Sequence, residues 1–108
     1  MKHNLNPKAI AKGLFNVADQ IHDLDTVRDS LRSLNHIVMD NGQFRVLIQS
    51  KKMKSKLKVE ILNSVLGELS HPLVNEVVSY LRGSSAAREL REISVSYTHL
   101  TLPTSPHV

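Results

Sequence analysis

The chain has 108 residues, 41% of them apolar, enough for one small domain with a modest core and too apolar for wholesale disorder. Lys and Arg number 14 against 10 Asp and Glu, a formal +4, yet Lys51, Lys52, Lys54, Lys56 and Lys58 concentrate the surplus in one short stretch and leave the remainder near neutral. The absence of cysteine excludes disulfides, Cys-ligated zinc and thiol catalysis.

In chain order, residues 5–21 are predicted as a first helix, with Asn6 as cap and Pro7 at the first position, where a missing N–H has no consequence. Leu24, Val27, Leu31, Leu34 and Val38 recur at three- and four-residue steps and predict a second helix over 24–40, closed by a left-handed turn at Asn41-Gly42. Phe44 to Ile48 reads as a helical turn or two, since a strand there would lack a partner. Residues 55–66 follow as a helix capped by Ser55 and ended by Gly67; Ser70 and Pro72 open another through Arg82; Ser84 or Ser85 opens a last one through Ile93. The predicted architecture is all-α, a compact six-helix bundle.

Catalytic chemistry finds little support. The His residues form no i, i+4 pair and no H-E-x-x-H arrangement, and the isolated glycines build no phosphate loop. Asp19, Asp23, Asp25 and Asp29 cluster near a helix junction, where charge near a helix N-terminus accounts for them. Neither an enzyme nor a cofactor is expected. The five lysines read as a solvated loop and helix start, because only Met53, Ser55 and Leu57 interleave them and no aromatic ring is available for stacking. A basic helical nucleic-acid-binding module is the alternative that this cluster would support. No apolar run approaches the roughly eighteen residues of a membrane span, and Met1 to Pro7 lacks a signal-peptide stretch, so a soluble, cytoplasmic chain is expected.

Two helices are too apolar for a single core contact. On the first, Ile10, Ala11, Gly13, Leu14, Phe15, Val17, Ala18 and Ile21 span about 200°. On the fifth, Leu73, Val74, Val77, Val78, Tyr80 and Leu81 span about 160°. Either both helices are central and buried on two sides, or their outward flanks form an apolar groove that an amphipathic partner helix fills.

Residues 94–108 change character, with no Asp, Glu, Lys or Arg. The tract Val95-Ser96-Tyr97-Thr98-His99-Leu100-Thr101-Leu102-Pro103-Thr104 resembles translated sequencing-adapter read-through. It is therefore set apart as a non-native tail with no packing role, leaving 1–93 as the domain.

Within 6–93, Ala11-Lys12-Gly13-Leu14-Phe15-Asn16-Val17-Ala18, Leu31 and Leu34, Asn41 before Phe44, Lys58 before Ile61-Leu62, Pro72-Leu73-Val74 and Leu90 to Ile93 resemble the N-terminal domain of the rotary ATP synthase delta subunit, the oligomycin-sensitivity-conferring protein family. Ile10 stands where that family usually has Tyr, and Ser85-Ala86 where it has a Gly-Arg pair. The resemblance implies a non-catalytic stator subunit of the peripheral stalk, peripheral on the cytoplasmic face of the cell membrane without inserting into it, and not a nucleic-acid binder. It implies an alpha-subunit N-terminal helix as partner, held between the first and fifth helices. A stalk b subunit would be gripped through a C-terminal domain missing from this chain. The partner-binding set is then Ile10, Gly13, Leu14, Val17, Leu73, Val77 and Tyr80, with Leu14 and Leu81 between the two flanks. Ala11, Phe15, Ala18, Val74 and Val78 are left as core.

Overall fold

The computed structural model describes residues 6–101, where hydrophobic spacing at three and four residues becomes helix in six segments. α1 spans Pro7–Gln20, α2 Leu24–Asp40, α3 Gly42–Gln49, α4 Ser55–Leu66, α5 Pro72–Ser79 and α6 Ala86–Thr101, with a 3₁₀ turn at Gly67–Leu69. The fold is an all-α bundle of six helices, and no strand occurs among the described residues. The expected helix start at Leu5 and residues 102–108 of the tail lie outside the described residues.

The helix ends follow local chemistry, with three departures from expectation. Asn6 caps α1 by accepting from the N–H groups of Lys8 and Ala9 at 3.0 and 3.3 Å. Asn41-Gly42 is not a left-handed stop: Asn41 is extended (φ −125°) and its side chain accepts from Phe44 N–H, so the pair opens α3 as much as it closes α2. Ser55 does not cap α4, since its Oγ faces Arg82 at 3.0 Å and Lys54 holds the cap position. α5 ends at Ser79 rather than Arg82, and its cap is His71, whose Nδ1 accepts from Leu73 N–H at 3.1 Å. The same ring donates through Nε2 to Asp23 at 3.0 Å, and the His71 N–H bonds to Ser30 Oγ at 2.8 Å, so one residue fixes the start of α5 onto α2.

α6 is the central helix, packed against α1, α2 and α3, while α4 pairs with α5. Leu31, Leu34, Ile48, Leu62, Val74, Val78, Leu81, Leu90 and Ile93 are fully buried where these helices meet.

α6 also overturns the expectation that residues after Ile93 do no packing. The helix continues to Thr101, with Ser94 and Tyr97 both buried. Leu90, Ile93 and Tyr97 keep the three-to-four-residue step of one helical face, so the inward stripe continues although the surrounding residues turn polar. The Tyr97 hydroxyl donates to the Leu24 carbonyl at 2.8 Å, and its ring meets Phe15 edge-on with centroids 6.0 Å apart. Burial pushes the phenol up to about 12.

Tyr97→Ala should therefore destabilise the chain by about 3–5 kcal/mol and Tyr97→Phe by about 1 kcal/mol. Each kcal/mol corresponds to about 4–8 °C in a thermal melt of a domain this small. Truncation after Ile93 should lower the midpoint further than Tyr97→Phe, and an unchanged midpoint on truncation would contradict the docking of this segment.

Candidate partner-binding face

Of the five clustered lysines, Lys51, Lys52, Lys54 and Lys56 are exposed as expected, but Lys58 is fully buried. Its ammonium donates to the carbonyls of Ile48, Ser50 and Leu81 at 3.1, 3.0 and 2.8 Å. These oxygens lie at the ends of α3 and α5, helices whose last turns hold no basic residue of their own. Lys58 supplies the missing positive charge to both C-termini at once and satisfies carbonyls that the ladder leaves unpaired. Desolvation, with the Arg82 charge behind it, brings the ammonium down to about 8, against the pull of three acceptors that favour the charged form. Arg82 works beside it, bonding Met53 O at 2.8 Å and Ser55 Oγ at 3.0 Å. Gly83 closes the turn at φ +79°, donating its N–H to Gln49 O at 2.8 Å; a Cβ there would meet Lys51 Cε at 3.1 Å.

This frame fixes the end of α5 to α3 and α4, and α5 also packs against α1, the other helix with an over-wide apolar arc. The inward residues are Ala11 and Ala18 on α1 with Val74 and Val78 on α5, all fully buried. Phe15 is half-buried against Tyr97 rather than sealed in the core. Of the expected partner-binding set, Ile10, Leu73 and Val77 are half-buried and rest against the core, while Gly13, Val17 and Tyr80 are exposed, Val17 at 41% and Tyr80 at 52%. Leu14, only 6% exposed, belongs to the core, as does the fully buried Leu81. Ile21, 46% exposed, extends the same flank of α1 and was readable from its place in the arc. Nothing lies within 4 Å of where a Cβ on Gly13 would stand, so no contact inside the bundle requires glycine there.

Among the described residues no group of three or more His, Asp or Glu could hold a metal ion. The acidic cluster near the first helix junction finds structural partners: Asp23 with His71, and Asp25 and Asp29 with Arg28.

The all-helical bundle thus leaves Val17, Ile21 and Tyr80 uncovered on two adjoining helices. The family model described as ATP synthase delta (OSCP) subunit matches residues 8–104, and the chain belongs to that family. No curated protein and no solved structure matches the chain. The family is a structural subunit of ATP synthase, a membrane-associated complex, and no helix among the described residues is long and apolar enough to cross a membrane.

Lys58→Met should leave carbonyls of α3 and α5 without a donor and destabilise the fold by about 1–3 kcal/mol for each one that water fails to reach. The wild type should also carry a pH signature. An unfolded lysine holds its proton up to 10.5 while the folded one releases it near 8, so the stability contribution rises with pH between those values. Urea melts across that window should show the rise in the wild type and not in Lys58→Met.

Proposed function

We propose that this chain is a non-catalytic stator component that binds the N-terminal helix of an ATP synthase alpha subunit along the adjoining flanks of α1 and α5. On this reading it links the catalytic head to the peripheral stalk at the cytoplasmic face of the membrane. Its hold on a stalk b subunit would come through a C-terminal domain outside this chain. The observation that carries the proposal is Gly13. Glycine within a helix costs about 1 kcal/mol relative to alanine, and the bundle gains no contact from it. Close approach of a second helix backbone would offset that cost, and Ile10 and Val17 beside it on α1, with Leu73, Val77 and Tyr80 on the adjoining α5, would offer that helix an apolar seat. A stator that resists rotor torque needs slow dissociation rather than a reacting group. The nucleic-acid alternative is weakened because Lys58 spends its charge on backbone carbonyls instead of presenting it. The adapter-like origin of residues 94–108 is a separate proposal, tested by sequencing the source gene across Ile93.

Gly13→Ala should raise the stability of the isolated chain by up to about 1 kcal/mol while weakening binding of an alpha-subunit N-terminal peptide. Val17→Asp should keep the helical far-ultraviolet spectrum and weaken the peptide by about 2–4 kcal/mol, whereas Val78→Asp should unfold the bundle. Calorimetric titration and thermal melts separate these effects. Unchanged peptide affinity in both Gly13→Ala and Val17→Asp would place the partner elsewhere.

A further inference from the structure

One cation beside the α1–α5 face is left unspent by the fold. Tyr80, at the end of that face, lines a small cleft of about 230 Å³ with Glu76 and Ser79 of α5 and with Ser55, Lys56 and Val59 of α4. Two other cations at this end of the bundle are committed, Lys58 to the carbonyls of Ile48, Ser50 and Leu81 and Arg82 to Met53 O and Ser55 Oγ. Lys56 is exposed and forms no ion pair among the described residues, although Glu76 lines the same cleft. Its place is also unfavourable: it stands in the first turn of α4, where no acidic residue occurs, so its charge faces the positive end of the helix. Exposed Lys51, Lys52 and Lys54, just before Ser55, reinforce that positive potential.

We propose that Lys56 is a specificity-determining residue of the partner face: a helix seated along α1 and α5 continues past Tyr80 and sets a carboxylate against the Lys56 ammonium. The inference rests on the reading that α1 and α5 hold a partner helix, and it adds that this helix is acidic at one end. Tyr80 suits the junction, because it continues the three-to-four-residue row of Leu73 and Val77 and carries both an apolar ring and a polar tip. A carboxylate beyond it complements Lys56, while a cation at the same point is repelled by Lys56 and by the lysines that precede α4. Glu76 on the α5 wall repels a carboxylate that strays from the α4 side. An exposed ion pair adds little affinity, so Lys56 acts mainly on the choice and direction among helices that share the same apolar face.

The test uses the full chain and two synthetic amphipathic peptides of about 18 residues with one composition and one Leu face, carrying their Glu residues at the N-terminal end in one and at the C-terminal end in the other. Each is titrated by fluorescence anisotropy near physiological salt. Lys56→Glu should weaken one of the two at least fivefold and the other less than twofold, and the weakened peptide remade with Lys in place of Glu should regain its affinity for that variant. Arg91→Glu, the same change in net charge on exposed α6 surface, should leave the ratio of the two affinities within twofold. Equal weakening of both peptides by Lys56→Glu, or an equal shift in Arg91→Glu, would overturn the assignment. So would an RNA oligonucleotide that binds more tightly than either peptide and is lost in Lys56→Glu. Val17→Asp separates the two readings: it should weaken both peptides alike. If it does so while Lys56→Glu changes nothing, only the role of Lys56 fails; if it leaves both peptides bound, the α1–α5 reading fails and the role of Lys56 falls with it.

Discussion

Lys58 is the constraint on which the second half of the bundle depends. An ammonium has three protons and no acceptor, and here each proton has a carbonyl: two from the end of α3 and one from just beyond α5. The ends of α3 and α5 are far apart in sequence, and each would leave carbonyls without this donor. Sinking one cation among them ties α3, α4 and α5 into a single unit. Arg45 repeats the device at the end of α2, bonding Val38 O at 2.6 Å. α2, α3 and α5, whose own last turns hold no basic residue, thus borrow their C-terminal positive charge from other elements.

Holding α5 in place matters because α1 is divided between three tasks. Its inner line, Ala11, Leu14 and Ala18, is buried, and the two alanines let the helix lie close to the core. One flank, with Ile10, Val17 and Ile21, adjoins α5 and stays apolar beyond what the core covers. The other, with Lys8 and Lys12, faces α6 and is cationic. A single helix therefore presents two chemically different surfaces, and the position of its two neighbours decides which residues each surface includes.

Gly13 and Gly83 show why the same residue type carries different meanings. Gly83 adopts a positive φ and sits against Lys51, so the fold itself requires it. Gly13 is helical with open space above it, so the fold would be served better by alanine. The spacing of apolar residues made the first helix visible, but it could not separate a glycine tolerated by chance from one left for a partner. The open space over it shows that no contact inside the bundle calls for glycine there.

The sequence by itself determined the helices and most of their ends. Leu24 to Val38 repeat at helical steps, Asn6-Pro7 and Pro72 carry their start chemistry locally, and Gly67 marks the end of α4, as local interactions along one segment allow. The over-wide arcs of α1 and α5 were legible for the same reason. Tertiary structure decided whatever depends on residues distant in the chain. Lys58 reads as one more solvated lysine until Ile48 and Leu81 are brought to it, and His71 reads as an isolated imidazole until Asp23 and Ser30 arrive. Tyr97 lies in a tract whose composition suggests no structure, yet its place on the α6 stripe delivers it to Phe15 and to the carbonyl of Leu24. Periodicity fixes which face of a helix is apolar, whereas the identity of the group that face meets is set only when the helices pack.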